Sequence, residues 1–160
     1  ARTFVALGYC AFRPNFRGVG LSEGTHDEGR GETEDMLAVL EEARRRCGNL
    51  PVALAGFSFG GFVQTRVAKR LTEAGHPAQR LVLVGTAAGF VEGTRSYDTE
   101  AVPNDTIVIH GSADETVPLA NVLKWAEPLE LPVSVVPGAD HFFHRRLHVI
   151  REIITRSWRH

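Results

Sequence analysis

The 160-residue chain has only two cysteines, Cys10 and Cys47, and they do not form a C-x-x-C pair. Isolated cysteines without metal or redox spacing are typical of free thiols in a reducing compartment, so we expect the protein to be cytoplasmic. The chain also lacks a run of about 18 apolar residues that could span a bilayer and a basic segment followed by an apolar stretch at its start. The sequence therefore predicts neither a membrane partner nor a secretory signal.

No excess of charge of either sign is present, since 18 basic and 19 acidic residues leave a formal net charge of −1. A nearly neutral chain has no overall field that would attract nucleic acid or an anionic membrane, so we expect no nucleic-acid partner. The basic cluster at residues 44–46 is interpreted as a solvated helix face, because a surface that follows phosphates usually extends over more of the chain.

Internal repeats, low-complexity segments and long linkers are also missing, so the chain is predicted to form one domain over residues 1–160. Short apolar runs alternate with helical patterns, which indicates successive βαβ units and an α/β fold with a mostly parallel, doubly wound sheet. The predicted strands are residues 9–16, 51–57, 80–85, 106–110 and 133–136. The predicted helices are residues 32–46, 60–74, 119–129 and 143–158.

Two segments stand outside this alternation. Residues 87–105 show no clear periodicity and are predicted to form a loop without a separate lid domain. The chain begins with Ala1 and not with Met, and residues 2–8 are typical of the last turns of a helix closed by a glycine. We therefore expect the first strands of the fold to lie before residue 1.

Residues 56–60 read G-F-S-F-G between an apolar run and a helical pattern. A serine on a sharp turn between a strand and a helix can meet a base, while backbone N–H groups face the developing oxyanion. Ser58 is therefore the candidate nucleophile. A second G-x-S-x-G at residues 20–24 lacks the strand and the helix on its two sides, so Ser22 is interpreted as a loop residue.

A serine nucleophile needs a base and a carboxylate that orients the base. Asp114 follows the predicted strand at residues 106–110, and His141 follows the predicted strand at residues 133–136. Because the carboxyl ends of parallel strands lie at one edge of a sheet, Ser58, Asp114 and His141 are predicted to meet there. The order Ser, Asp, His is the order that this kind of fold uses.

Each partner has an alternative interpretation. Asp114 could cap the helix that follows Pro118. His144 and His148 have the i, i+4 spacing of zinc ligands, but a third ligand and an H-E-x-x-H pattern are missing, so no metal site is predicted. Asp140 is a weaker orienting group than Asp114, because neighbouring side chains point apart.

The remaining histidines and the glycine-rich segment are assigned no chemistry. His110 is expected to hydrogen-bond neighbouring loops, and His26 and His76 are expected to be surface residues. The glycines of residues 17–24 follow a G-x-G-x-x-x-G spacing without a following helix, which does not fit a dinucleotide fingerprint. We interpret this segment as a structural turn, with Arg17 anchoring the loop.

Several motifs occur in a characteristic order along the chain. Residues 15–24 read N-F-R-G-V-G-L-S-E-G, residues 56–61 read G-F-S-F-G-G, residues 110–118 read H-G-S-A-D-E-T-V-P, and residues 138–143 read G-A-D-H-F-F. With these motifs the chain resembles the α/β-hydrolase superfamily over nearly its whole length. More narrowly, it resembles small bacterial serine hydrolases without a lid.

The resemblance implies a role for each candidate residue. Ser58 would be the nucleophile, His141 the general base and then acid, and Asp114 the carboxylate that holds the histidine tautomer. The backbone N–H of Phe59 would supply half of the oxyanion hole. The second donor in such enzymes comes from a loop that would lie before Ala1, so we expect this chain to be less active or less stable than a longer form.

The sequence thus predicts a serine hydrolase that cleaves carboxylic esters or thioesters through an acyl-enzyme and needs no cofactor. The site is expected to be shallow and floored by Phe57 and Phe59, with Phe90 and Tyr97 as further candidates. Two alternatives remain open at this stage: a non-catalytic interaction domain with the same fold, and a peptidase on the same scaffold.

Overall fold

A computed structural model of the protein describes residues 1–91, 93 and 95–158. The chain divides into two compact units, Ala1–Pro51 and Val52–His160. The interpretation of residues 1–160 as one domain stays a prediction.

The first unit contains the helices α1 (Arg2–Ala6) and α2 (Arg30–Cys47). The expected helix end near Gly8 is confirmed, and this glycine has a φ of +93°, which side chains rarely adopt. In α2, Glu32 lies in the first turn and three arginines lie in the last turn, which matches the direction of the helix dipole. This unit therefore takes its regular structure from helices.

The prediction of a strand at residues 9–16 is wrong, because the structure has no strand in that segment. A β-strand needs a neighbour to complete its ladder of hydrogen bonds, and none of the described strands pairs with these residues. Residues 10–15 are exposed, and Pro14 has no N–H to donate to a ladder. An apolar run alone was not enough to form a strand.

The second unit contains the six described strands: β1 (Ala53–Phe57), β2 (Arg80–Val84), β3 (Gly89–Val91), β4 (Arg95–Tyr97), β5 (Ile107–Gly111) and β6 (Val133–Val136). Four of them form a sheet in the order β1-β2-β5-β6, and each neighbouring pair is parallel. Every residue of β5 is buried, as expected for an interior strand of a parallel sheet. The predicted α/β class and parallel sheet are confirmed.

Three helices follow strands of this sheet. Helix α3 (Phe59–Glu73) packs against β1 and β2, α4 (Leu119–Ala126) packs against β3 and β5, and α5 (Leu147–Ser157) packs against β5. Among the described helices, none combines the length and the apolar character that crossing a membrane would require. Each helix thus connects or covers strands in the way that βαβ units require.

Two predicted helix boundaries are wrong. The helix predicted at residues 119–129 changes to a 3₁₀ turn at Glu127–Leu129, because Pro128 cannot donate a hydrogen bond within an α-helix. The helix predicted to begin at residue 143 begins at Leu147. Phe143 and Arg145 have positive φ angles of 52° and 59°, so this part of the chain forms turns.

The prediction of a loop over residues 87–105 is also incomplete, because β3 and β4 pair there as an antiparallel hairpin. Strands of three residues are too short to show an alternating pattern. The side-chain amide of Asn121 on α4 donates to the carbonyl of Ala88 (3.0 Å) and to that of Phe90 (2.6 Å). The hairpin is therefore held to a helix of the same unit.

Candidate active site

Ser58 lies in the turn between β1 and α3 and has a φ of +53°, which is uncommon for a residue with a side chain. Its N–H donates to the carbonyl of Val84 at the end of β2 (3.0 Å), and its carbonyl accepts from the N–H of Ala87 (3.2 Å). A non-glycine residue in such a conformation costs about 1–3 kcal/mol and persists only where its surroundings fix it. The structure thus has the strained strand-turn-helix geometry that the sequence predicts.

Glycines make this turn sterically possible. A Cβ built on Gly56 would overlap the backbone carbonyl of Gly60, and a Cβ built on Gly61 would overlap the side-chain hydroxyl of Thr86. Neither the backbone of Gly60 nor the side chain of Thr86, which is 1% exposed, can move away cheaply in a packed interior, so both positions need a residue without a side chain. The close approach of the end of β1 to the start of α3 therefore explains the glycine at position 56, and the contact with Thr86 explains the glycine at position 61.

The structure brings Ser58, His141 and Asp114 together. The Oγ of Ser58 lies 2.9 Å from Nε2 of His141, and Nδ1 of the same ring lies 2.7 Å from Oδ2 of Asp114. The side chain of Asp114 is 0% exposed. These contacts form a continuous hydrogen-bonded line from hydroxyl to carboxylate, which is the arrangement that an activated serine needs.

The second oxygen of Asp114 is also used. Oδ1 accepts the backbone N–H of Thr116 (3.0 Å) and of Val117 (2.8 Å). Helix α4 has Pro118 as its N-cap, so the interpretation of Asp114 as a helix cap is wrong. Two N–H donors on one oxygen stabilise the charged carboxylate and fix the direction of the other oxygen toward His141.

Contacts between two loops hold His141 beside Asp114. The N–H of Ala113 donates to the carbonyl of Ala139 (3.0 Å), and the N–H of Gly138 donates to Oγ of Ser112 (2.7 Å). A Cβ on Gly111 would overlap the same Ala139 carbonyl. Sequence reasoning missed this contribution of Ser112, for which a small polar residue after Gly111 is the only signal in the sequence.

Asp140 and Asp114 bind different histidines, as the position of Asp140 directly before His141 in the sequence indicated. Its carboxylate accepts the backbone N–H of His144 (3.0 Å) and pairs with Nδ1 of the same residue. The hydrogen bond from this imidazole holds the pKa of the Asp140 carboxyl below its usual value. Within the part of the chain that the structure describes, no three His, Cys, Asp or Glu side chains are placed to hold a metal ion.

His110 makes the loop contact that the sequence predicts. Its Nε2 lies 2.9 Å from the carbonyl oxygen of Val117. Burial lowers the pKa of His110, against the smaller opposing effects of this hydrogen bond and of the Asp114 charge.

Two aromatic rings lie beside the ring of His141. Phe57 is 40% exposed, and its ring centroid lies 4.9 Å from that of His141. Phe142 is 61% exposed and lies 5.2 Å from His141 and 5.9 Å from Phe57. We call Phe57 and Phe142 the aromatic pair. Sequence reasoning missed Phe142, although it directly follows His141.

Two of the other aromatic candidates, Phe59 and Tyr97, form a second group with Phe62. The ring of Tyr97 lies 5.1 Å from that of Phe62 and 6.3 Å from that of Phe59. Phe90 is exposed on β3. Phe59 is the first residue of α3, so its N–H belongs to the helix end that attracts negative charge. The roles of Phe59, Phe90 and Tyr97 in a site stay predictions.

The glycine-rich segment of the first unit forms a structural turn. Arg17 donates two hydrogen bonds of 2.7 Å to the carboxylate of Asp35 on α2, and the N–H of Gly18 donates to the carbonyl of Glu23 (3.0 Å). Arg17 lowers the pKa of the Asp35 carboxyl. Ser22 lies in this turn and donates its N–H to the carbonyl of Val19 (3.1 Å), consistent with a loop residue.

Comparisons with known proteins show which family this fold resembles. The family model of the α/β hydrolase fold matches residues 1–101, which is more than half of the chain. The crystal structure of a serine hydrolase without a lid from Xanthomonas campestris is 36% identical, with a TM-score of 0.75, over 89% of this chain and 62% of that one. An uncharacterised protein of Rickettsia prowazekii is 33% identical over 156 residues, which cover 89% of this chain and 61% of that protein.

A relative that matches a shorter part of the chain has a named activity. The lysophosphatidylserine lipase of Danio rerio is 34% identical over 92 residues, which cover 58% of this chain and 24% of the lipase. The chain thus spans about three fifths of the length of the Xanthomonas and Rickettsia proteins and about a quarter of the lipase.

Proposed function

Since the chain belongs to the α/β-hydrolase family, we propose that it is a serine hydrolase that cleaves carboxylic esters or thioesters through an acyl-enzyme. One observation carries this proposal: the hydrogen-bonded line that joins Ser58, His141 and Asp114 at the carboxyl ends of three parallel strands. Open α/β sheets bind their ligands at this edge.

The distances support a specific sequence of proton transfers. Nε2 of His141 takes the hydroxyl proton as Oγ of Ser58 attacks the acyl carbon, and the same nitrogen then returns the proton to the leaving alcohol or thiol. Water then attacks the acyl carbon of the acyl-enzyme while Nε2 takes its proton, and the transfer of that proton to Oγ as the ester bond breaks releases the acid and restores Ser58. Asp114, held by two backbone N–H groups, keeps the second proton of the ring on Nδ1.

The oxyanion of each tetrahedral intermediate would form next to Ser58, at the start of α3. We assign the N–H of Phe59 as one donor, because it is the first amide of a 15-residue helix and the helix dipole favours negative charge there. This assignment completes the roles of nucleophile, base, orienting carboxylate and oxyanion donor within the second unit.

The aromatic pair favours an acyl or leaving group with apolar surface. Phe57 and Phe142 both contact the ring of His141, which bonds the reacting hydroxyl, and both side chains are exposed. Burial of apolar surface contributes about 25 cal/mol per Å² to binding. Aryl esters and single-chain acyl esters are therefore the substrates to test first, and the named activity of the Danio rerio relative supports including lysophospholipids.

The test is covalent labelling with a fluorophosphonate, which reacts only with an activated serine hydroxyl, followed by intact-mass measurement. Wild-type protein and Ser22→Ala are expected to gain one label, and Ser58→Ala none. Ser22→Ala is the matched control because it removes the serine of the second G-x-S-x-G. Absence of labelling in the wild type would reject the proposal and favour a non-catalytic domain.

Turnover then distinguishes the reaction classes. Wild-type protein is assayed with short aryl esters, an acyl thioester, a lysophospholipid and a peptide anilide. We expect Ser58-dependent hydrolysis of the esters or the thioester. Hydrolysis of the anilide alone would replace the esterase proposal with a peptidase on the same scaffold.

A further inference from the structure

His110 is a buried histidine that the proposed reaction does not use. It lies on β5, its side chain is 0% exposed, and its Nε2 faces two oxygens of the 114–117 turn. The Val117 carbonyl oxygen is 2.9 Å away and Oδ2 of Asp114 is 3.4 Å away. Nδ1 of the same ring is buried and has no hydrogen-bond partner among the described residues.

These contacts determine where the proton of His110 sits. A carbonyl oxygen only accepts hydrogen bonds, so the ring nitrogen facing Val117 carries the hydrogen. The unpartnered Nδ1 is then a bare lone pair, because a buried N–H without an acceptor would cost about 1–3 kcal/mol. His110 is therefore a neutral imidazole with its hydrogen on Nε2.

Val117 connects this histidine to the proposed reaction. Its carbonyl accepts from His110, while its N–H donates to Oδ1 of Asp114 at 2.8 Å. His110 and Asp114 thus hold the same peptide segment from two sides. The Nε2–H of His110 also faces Oδ2, the oxygen that receives the hydrogen bond of His141.

We propose that His110 is a positioning residue whose neutral Nε2–H holds the 114–117 turn so that Oδ2 of Asp114 stays directed at His141. The catalytic consequence rests on the proposed function, whereas the contact between Asp114 and His141 can be tested without it. Small displacements matter here, since a misplacement of about 1 Å can cost about 10²-fold in rate.

Three substitutions separate this role from simple core packing. His110→Gln keeps an N–H donor at about the distance of Nε2 from the backbone, and His110→Phe keeps a ring but removes the donor. Ile109→Val is the matched control, because it perturbs the neighbouring buried position of β5 without altering a polar group. Thermal unfolding of each variant verifies that it is folded.

The first readout is the kinetics of aryl-ester hydrolysis. His110→Phe is expected to lower kcat by about 10- to 100-fold with KM within about twofold, because the acyl-binding surface is untouched. His110→Gln should recover most of the loss, and Ile109→Val should resemble the wild type. A loss of the same size in His110→Gln would overturn the proposal, since the donor would then not be the cause.

A double-mutant cycle tests whether His110 acts through Asp114. In an Asp114→Asn background, His110→Phe should cost less than about twofold, because the contact it supports is already broken. If the two losses multiply, His110 does not act through this carboxylate and the proposal is wrong.

The second readout needs no activity. The Nδ1 proton of His141 in its hydrogen bond to Asp114 should give a far-downfield proton NMR signal that disappears in His141→Ala. We expect His110→Phe to shift or broaden this signal and His110→Gln to retain it. An unchanged signal in a folded His110→Phe would refute the positioning role, even if the wild type shows no Ser58-dependent activity and the proposed function itself fails.

Discussion

Replacing Asp114 by Asn tests the proposed mechanism most directly, because the structure determines which way the new amide must face. Oδ1 of Asp114 accepts two backbone N–H groups, from Thr116 and Val117. An amide NH₂ placed there would put a third hydrogen-bond donor against these two N–H groups and offer them no acceptor. The amide oxygen therefore takes this position. The NH₂ group then occupies the place of Oδ2 and points at Nδ1 of His141.

The consequence for His141 is a change of tautomer. Facing a donor, Nδ1 becomes an acceptor, so the ring hydrogen moves to Nε2, the nitrogen that must take the proton of Ser58. In Ser-His-Asp enzymes this substitution lowers kcat by about 10⁴-fold. Each factor of ten corresponds to 1.36 kcal/mol, so the expected increase of the barrier is about 5 kcal/mol.

Aryl-ester hydrolysis and the rate of fluorophosphonate labelling measure this loss for Asp114→Asn. Asn is nearly isosteric with Asp and keeps an acceptor for both backbone N–H groups, so thermal unfolding should verify a folded variant. A folded Asp114→Asn within about tenfold of wild-type kcat would refute the assignment of Asp114 as the orienting carboxylate. Asp140→Asn is the matched control, because Asp140 pairs with His144 and should tolerate the change.

Three further predictions concern other parts of the chain. Gly56→Ala places a Cβ against the backbone of Gly60 and should destabilise the protein by about 1–3 kcal/mol and suppress labelling of Ser58, as seen in urea unfolding and intact mass. Glu32→Ala removes a buried carboxylate that accepts two backbone N–H groups, so the free energy of unfolding should fall by about 1–3 kcal/mol, and a change below 0.5 kcal/mol, about the size of a surface substitution, would contradict this role. Burial lowers the pKa of His110 from its usual 6.5, so as the pH falls below about 6.5 the unfolded chain takes up this proton more readily than the folded chain. Between pH 7.5 and 5.5 the free energy of unfolding of the wild type should therefore fall more than that of His110→Gln, by at most about 1.4 kcal/mol per pH unit.

The fold and the arrangement of the candidate site were largely predictable from the sequence, and the resemblance to lidless α/β serine hydrolases is confirmed. Strands β1, β2, β5 and β6 were all located because a buried parallel strand is a short apolar run with turn residues at its ends. The meeting of Ser58, Asp114 and His141 followed from the position of each residue after a strand, since parallel strands place their carboxyl ends at one edge.

The errors of the sequence analysis have physical causes. Residues 9–16 were assigned to a strand for their apolar and aromatic side chains, but pairing depends on a neighbouring strand, which a local pattern does not report. The start of α5 was placed four residues early because Phe143 extends the apolar periodicity of the helix. Phe143 lies in a turn with a positive φ, and its side chain is nevertheless buried. The apolar periodicity of the sequence cannot distinguish such a turn residue from a helical one.

Backbone contacts explain why the finest features of the site were not predictable. The loops that present Asp114 and His141 are joined by the N–H of Ala113 and the carbonyl of Ala139, and any residue offers those atoms. Such a contact affects the sequence only where a side chain would obstruct it, which here is Gly111. Gly111 therefore records where the two backbones touch. The direction of a neutral histidine such as His110 becomes visible only when its acceptor, the Val117 carbonyl, has been placed.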